Sequence, residues 1–210
     1  MTKAERAKAV LETLRPLYPD TRPPLDYQTP FQLMVAVVLS AQTTDAQVNR
    51  VTPRLFSAYP TPEALSAAPQ EALEEIVRPT GFFRAKARNI KQAAAALVDE
   101  FGGDVPDTVE KLVSIPGVGR KSANAIVAAL YDKPAVIVDT HFSRVCTRLG
   151  LTEAGKAEQI EHELSALVSS EDQKDFSMII NFHGRDTCTA RKPACEECPV
   201  RHLCPYPDFS

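Results

Sequence analysis

Helix-start signals recur along this 210-residue chain, and they constrain its fold more than any other feature. Thr29-Pro30 and Thr61-Pro62 each place a capping hydroxyl directly before a proline, and Thr44-Asp45 adds a third start. Apolar residues then repeat with helical spacing. These faces are Ala7, Val10, Leu11 and Leu14; Ile90, Ala94, Leu97 and Phe101; Ala123, Ile126, Val127 and Leu130; and Ile160, Leu164, Leu167 and Val168. Because the strand-like stretch at 135–138 is too short to build a sheet, we predict an all-α fold.

Charge is unevenly distributed along the chain. The formal net charge of -3 argues against a protein that binds polyanions over its whole surface. However, the segment 76–98 carries five basic residues and no acidic one, whereas 151–175 carries seven acidic residues against two lysines. A local basic face for nucleic acid therefore stays possible.

No segment of the sequence predicts export or membrane insertion. The longest apolar run, at 33–39, is too short to span a bilayer. The first residues enter a charged helical pattern rather than a signal peptide. We therefore expect a cytoplasmic protein that is associated with the nucleoid of a bacterium and has no membrane partner.

The segment 112–123 predicts two helices joined by a tight Pro-Gly-x-Gly turn. Gly117 and Gly119 permit positive φ angles and a close approach of the backbone. The N–H groups of the turn and of the following helix then favour an anion such as phosphate. On nucleic acid this is a sequence-independent contact. An ordinary connection between two helices is the alternative.

Lys121 and Asp139 are candidate catalytic side chains. Lys121 lies in the first turn of the predicted helix, nearly opposite its apolar face, so we expect it to point away from the core. A lysine attacks carbon only as its free amine, and the positive end of the helix dipole disfavours the ammonium ion. The alternatives are a plain surface charge for Lys121 and a helix N-cap for Asp139.

Four of the five cysteines lie in the last 23 residues, with the spacing C-x6-C-x2-C-x5-C. They are Cys188, Cys195, Cys198 and Cys204. Because disulfides are rare in a reducing compartment, this cluster predicts metal ligation. Zinc and iron–sulfur clusters both take four cysteines, and the spacing alone leaves the two open. The fifth, Cys146, is predicted to be a buried apolar residue.

The order of these motifs resembles bacterial endonuclease III, a family of helix–hairpin–helix DNA glycosylase/AP lyases. The matching segments are 115–121, 138–141 and the cysteine tail, with further matches at 39–45 and 183–185. The resemblance implies a [4Fe-4S] cluster on the four cysteines. It also implies two helical domains: a six-helix barrel at 23–133, with the helix–hairpin–helix motif at about 107–131, and a cluster domain formed by 1–22 and 134–210.

The activity implied by this resemblance is base excision repair of oxidised pyrimidines. Lys121 would attack C1′ of the damaged nucleotide, release the base, and cut the strand 3′ to the lesion by β-elimination from a Schiff base. Asp139 would accept a proton from Lys121 or stabilise positive charge on the sugar. The expected partner is double-stranded DNA that carries a damaged pyrimidine or an abasic site, bound by a monomer.

Two loops are expected to open the duplex. Gln42 would fill the gap left by the extruded base or contact the orphan purine. Phe82 matches the wedge loop, where enterobacterial members carry leucine, and core packing is its alternative. The other implied contacts to DNA are Arg84, Gly117, Gly119, Arg120, His141, Arg191 and Lys192.

Three other functions are compatible with parts of this pattern. A monofunctional mismatch glycosylase of the same superfamily would share the fold and the cluster but lack a lysine at the position of Lys121. A non-catalytic iron–sulfur module would bind DNA, or act in redox chemistry, without cutting the strand. A zinc-bound helical interaction domain would be colourless.

Overall fold

The computed structural model describes residues 1–206, which form eleven α-helices and no β-strand. The helices are α1 Lys3–Leu14, α2 Pro30–Leu39, α3 Asp45–Ala58, α4 Pro62–Ala67, α5 Gln70–Val77, α6 Phe83–Phe101, α7 Val109–Val113, α8 Arg120–Tyr131, α9 Thr140–Arg148, α10 Ala157–Leu167 and α11 Gln173–Asp186. Short 3-10 turns lie at Arg15–Leu17, Arg78–Thr80, Ser170–Asp172 and Arg201–Leu203. The all-α prediction is confirmed, and none of these helices is long and apolar enough to cross a bilayer.

Local capping explains where five of these helices begin. The threonines at positions 2, 29, 44, 61 and 108 each accept a hydrogen bond from a backbone N–H in the first turn of the following helix. Each such bond satisfies a donor that has no partner inside the helix. Proline at the first position of α2 and α4 costs no hydrogen bond, because the N–H at that position has no partner inside any helix. Gly102 ends α6 in the left-handed conformation.

The structure divides into two compact units. The central unit is Pro24–Tyr131, and the terminal unit joins Met1–Pro23 to the described chain from Asp132 onward. The central unit holds the seven helices α2 to α8. In it, α2 packs against α3, α6 and α8, and from Leu33 to Leu39 every side chain of α2 is buried. A helix that is apolar on all sides is typical of the core of a protein.

The terminal unit has its own core, built from α1, α9, α10 and α11. The α9 helix packs against α11, and α1 contacts both α10 and α11. Phe142 and Phe176 meet edge to face at its centre, with their ring centroids 5.9 Å apart. The predicted apolar face of the first helix, including Val10 and Leu14, is fully buried here. Cys146 is also completely buried, as expected.

Candidate functional site

The Pro-Gly-x-Gly turn joins α7 to α8 in the central unit, as the sequence predicted. The side chains of Ile115 and Val118 are buried and anchor the turn. Gly117 has a φ of +82°, and a Cβ there would lie 2.8 Å from the Cβ of Asn89. Gly119 differs: its φ is not positive, and a Cβ there would meet no atom within 4 Å. Of the two glycines that permit a positive φ, only Gly117 adopts one.

Lys121 is exposed in the first turn of α8. The opposite face of that helix is buried, with Ala123, Ile126 and Val127 at most 1% exposed. The prediction that Lys121 points away from the core is therefore confirmed. The neighbouring Arg120 and Gly119 are exposed as well, so this end of the helix offers N–H donors and cationic side chains to one region of solvent.

Gln42 and Phe82 are both held in the left-handed backbone region. Their φ angles are +53° and +46°, values that side-chain-bearing residues rarely adopt. Gln42 is exposed, and the Phe82 ring is 66% exposed. Core packing, the alternative for Phe82, is wrong. The adjacent Phe83 is half-buried, and the centroid of its ring lies 5.1 Å from the guanidinium of Arg78 and 5.6 Å from that of Arg84.

The basic segment that begins beside Phe82 is not one uniform surface. Arg84 is exposed and lies 4.0 Å from a carboxylate oxygen of Glu74. Lys86, however, is only 4% exposed. Lys91 donates from Nζ to the carbonyl oxygen of Ala68 at 2.8 Å. Two of the five basic side chains therefore make internal bonds instead of facing solvent.

Asp139 is the N-cap of α9 in the terminal unit. Its Oδ1 accepts from the backbone N–H of Phe142 at 2.8 Å, so the capping interpretation is confirmed. Its second oxygen accepts a hydrogen bond from Nδ2 of Asn181 on α11. Asn181 is 9% exposed, and its Oδ1 is buried without a hydrogen-bond partner among the described residues. Both carboxylate oxygens of Asp139 are therefore fixed in direction.

Two arginines on α9 connect this helix to the start of the cysteine loop. Arg144 donates to the carbonyl oxygens of Gly184 and Cys188 at 2.7 and 3.1 Å, and its Nη2 lies 3.2 Å from Nδ1 of His141. Arg148 donates to the carbonyl oxygens of Thr189 and Ala190 at 2.7 and 3.0 Å, and to Sγ of Cys188 at 3.3 Å. These side chains satisfy carbonyl groups that the irregular loop leaves without partners.

All four clustered cysteines line one cavity of about 140 Å³ in the terminal unit. All five cysteines of the chain are free, and the four in the loop are half-buried. No group of three or more His, Cys, Asp or Glu side chains in residues 1–206 converges as a single metal ion requires. Four thiols around one partly buried cavity are a ligand set that an iron–sulfur cluster takes.

Burial shapes the chemistry of this cavity. It raises the pKa of the thiols of Cys198 and Cys204, so each favours the protonated form until a positive centre opposes it. His183 is 2% exposed, and its Nε2 lies 3.6 Å from Sγ of Cys198. Burial lowers the pKa of the His183 imidazole, which favours its neutral form. The residues present therefore fit a [4Fe-4S] cluster whose charge stabilises the thiolates.

Arg191 and Lys192 lie in the cysteine loop with their side chains exposed. The loop is closed by a bond from Oγ1 of Thr189 to the carbonyl oxygen of Lys192, at 2.6 Å. It also lines a second cavity of about 540 Å³ that contains Arg201 and two glutamates. The loop thus presents two cations from a short, internally bonded turn.

Sequence reasoning missed the residues that support the predicted ones. Arg144, Arg148 and Asn181 were not singled out, and His183 was noted only as part of a motif. The two arginines are four residues apart on α9, the helix that Asp139 caps. That spacing places both on one helix face and was an available signal. Nothing in the local sequence around Asn181 indicates its contact with Asp139, because that contact spans 42 residues.

Comparison with known proteins agrees with this geometry. Residues 35–170 match the HhH-GPD superfamily of base excision DNA repair proteins, and residues 188–204 match the iron–sulfur binding domain of endonuclease III. The chain is 48% identical to endonuclease III of Synechocystis over 97% of its length and 94% of the relative's. It is 37% identical to endonuclease III of Escherichia coli over 98% of its length and 97% of the relative's.

Two solved structures are similar over almost the whole chain. One is a non-covalent endonuclease III–DNA complex, and the other is a trapped endonuclease III–DNA covalent intermediate with an estranged adenine. Each superposes with a TM-score of 0.92 at 41% identity, over 98% of this chain and 96% of the other. A thermostable thymine-DNA glycosylase, at 22% identity and a TM-score of 0.87, shares the fold.

Proposed function

The chain belongs to the endonuclease III family of the HhH-GPD superfamily, and from this premise we propose how its own residues carry out the reaction. It is a bifunctional DNA glycosylase and AP lyase of base excision repair that binds duplex DNA and carries a [4Fe-4S] cluster. We further propose that its substrates are oxidised pyrimidines and abasic sites, and that it acts in the cytoplasm on nucleoid DNA.

Lys121 is the proposed nucleophile. Its neutral Nζ attacks C1′ of the damaged nucleotide, and the glycosidic bond breaks as the base leaves with a proton. The C1′–O4′ bond of the sugar then breaks, with the ring oxygen taking up a proton, and the iminium that forms between C1′ and Nζ makes the C2′ proton acidic. Loss of that proton breaks the bond between C3′ and its oxygen, which cuts the strand on the 3′ side, and water then hydrolyses the imine to free Lys121.

Asp139 assists this reaction in one of two ways: it accepts a proton during the attack, or it stabilises the positive charge that develops on the sugar. Support comes from its fixed orientation, since one oxygen bonds the N–H of Phe142 and the other bonds Asn181. A carboxylate held in this way undergoes little reorganisation when charge develops nearby.

The DNA contacts divide by chemistry. The N–H groups beside Gly117 and Gly119, with Arg120, hold a backbone phosphate at the start of α8. The exposed Gln42 and Phe82 open the duplex and occupy the space left by the extruded nucleotide. His141, Arg84, Arg191 and Lys192 are the further proposed contacts. The cysteine ligands Cys188, Cys195, Cys198 and Cys204 hold the cluster, which fixes the loop that carries the last two cations.

The observation that carries this proposal is the exposed Lys121 in the first turn of α8, directly after the hairpin. Its test is covalent capture. The holoenzyme is incubated with a duplex containing thymine glycol and then treated with borohydride, which reduces the imine to a stable amine. Wild type is expected to form a covalent protein–DNA adduct, whereas Lys121→Ala is expected to form none.

Lys156→Ala is the matched control, because Lys156 is exposed and lies in the acid-rich stretch of the terminal unit. It should form the adduct as wild type does. Undiminished strand cleavage by Lys121→Ala would overturn the assignment of the nucleophile. Asp139→Asn should slow turnover while the affinity for DNA is largely kept.

A further inference from the structure

Lys86 is a buried cation without a carboxylate partner. Its side chain lies on α6 and is 4% exposed. Its Nζ donates to the carbonyl oxygen of Thr80 at 2.7 Å, and no acidic side chain in residues 1–206 pairs with it. Burial lowers the pKa of this ammonium group. Burying a charge that has no oppositely charged partner is unfavourable. The packing of α6 alone therefore does not explain why a lysine that bonds to Thr80 occupies this position.

The bond acts on the turn that precedes Phe82. Thr80 is 2% exposed and is also held by its side chain, whose Oγ1 donates to the carbonyl oxygen of Val77 at 2.7 Å. The next two residues, Gly81 and Phe82, both have positive φ angles, +69° and +46°. A non-glycine residue keeps such a conformation only where its surroundings impose it. Backbone bonds hold this pair as well, since the N–H of Gly81 donates to the carbonyl oxygen of Arg78 at 3.3 Å and the carbonyl of Phe82 accepts from the N–H of Lys86 at 3.0 Å. The Nζ of Lys86 adds a bond to the carbonyl of Thr80, directly before the pair.

The other side of the turn is held by a different interaction. Arg78 begins the 3-10 turn, and its guanidinium lies 5.1 Å from the centroid of the Phe83 ring. Phe82 itself is 66% exposed, so packing against its own ring does not hold it in place. The direction of this ring is therefore set by the backbone on both sides of it.

We propose that Lys86 is a positioning residue that holds the Arg78–Phe82 turn so that the exposed ring of Phe82 is preorganised to enter the duplex. This deepens the proposed function and rests on the assignment of Phe82 as the wedge. Lys86 makes no contact with DNA in this role. It acts through the carbonyl of Thr80 and the backbone of the next two residues.

This role predicts a dependence on base pairing that a general loss of stability does not produce. A preorganised wedge matters where a paired and stacked nucleotide must be extruded. It matters little where the lesion is already unpaired. The readout is therefore the ratio of two rates for the same enzyme, which does not change with the fraction of active protein.

The experiment measures single-turnover cleavage by the holoenzyme on two duplexes. In one, thymine glycol is fully paired with adenine; in the other, the same lesion lies within a short unpaired bubble. Lys86→Met should lower the paired rate about tenfold, which corresponds to ~1.4 kcal/mol, and the bubble rate by less than about twofold. Phe82→Ala should show the same pattern.

Lys91→Met is the matched control. Lys91 lies on the same helix and donates to a backbone carbonyl, that of Ala68 at 2.8 Å, but this carbonyl belongs to a different loop. Its ratio of rates should equal that of wild type. In the double variant with Phe82→Ala, Lys86→Met should cause no further loss on the paired duplex, because its effect passes through Phe82.

Equal loss on both duplexes, or an unchanged ratio, would overturn the role of Lys86. If Lys86→Met does not fold, Lys86→Ala, which also removes the donor to Thr80, is tested in the same assay, and a ratio equal to that of wild type would again refute the proposal. If wild type forms no borohydride adduct with either duplex, the proposed function fails instead, and the two failures are thereby distinguished.

Discussion

We expect the two hairpin glycines to differ in role: Gly117 is needed for the stability of the fold, and Gly119 for the binding of DNA. Gly117→Ala must place a Cβ at a φ of +82°, and the left-handed region costs a residue with a Cβ ~1–2 kcal/mol. The new atom would also lie 2.8 Å from the Cβ of Asn89, against an optimum of ~3.5–4.0 Å. Relieving such an overlap costs a further ~1–3 kcal/mol. We expect Gly117→Ala to lower the free energy of unfolding by ~2–5 kcal/mol.

Gly119→Ala is the matched comparison two residues away. Its φ is not positive and its Cβ would meet nothing within 4 Å, so we expect a change in stability within ~0.5 kcal/mol. The open space is the place where the proposed phosphate approaches the first N–H groups of α8. We therefore expect Gly119→Ala to weaken the binding of duplex DNA about tenfold.

Urea unfolding followed by circular dichroism gives the stability of each variant, and a titration of undamaged duplex at one fixed salt concentration gives its affinity. Unfolding of Gly117→Ala at the same urea concentration as wild type would refute the strain assigned to that position. Binding of DNA by Gly119→Ala as tightly as by wild type would show that the open space beside Gly119 has no ligand.

Arg148→Ala should loosen the segment that carries Cys188, since the carbonyls of Thr189 and Ala190 and the sulfur of Cys188 lose their donor. We expect the visible absorbance of the cluster to decay at least about tenfold faster in a chelator than in wild type or Lys156→Ala, and equal decay would contradict this. The second prediction concerns acid stability: Arg15, bonded to Asp172 at 2.6 Å, lowers the pKa of that carboxyl below its ordinary value of 3.8, with a further contribution from Ser169. Because the carboxyl has a lower pKa in the folded state, its charge stabilises the fold above pH 3.8. This stabilisation is lost as the pH falls through the pKa of the folded state. Arg15→Gln should thus have a lower free energy of unfolding than wild type at pH ~6, by at most ~1 kcal/mol because the pair is largely exposed. This difference in free energy should vanish in strong acid. A difference that does not change with pH would exclude the ion pair as its cause.

The local chemistry of the chain was enough to predict its helices. A threonine before a proline caps a helix through bonds that span three residues, so α2 and α4 begin where the sequence indicates. The spacing of the four cysteines and the order of the motifs were likewise sufficient for the family and the cofactor. These signals depend on near neighbours in the chain, and distant packing does not alter them.

The tertiary structure decided which members of those patterns face outward. Lys86 and Arg84 belong to one basic segment, yet the first is 4% exposed and the second remains at the surface. The partners of Arg148 lie at least 40 residues away, and Asn181 reaches Asp139 across 42 residues. The sequence by itself therefore determined the helices, the hairpin and the family. Only the fold decided which glycine is strained, which lysine is buried and what orients Asp139, because those properties arise from contacts between segments far apart in the chain.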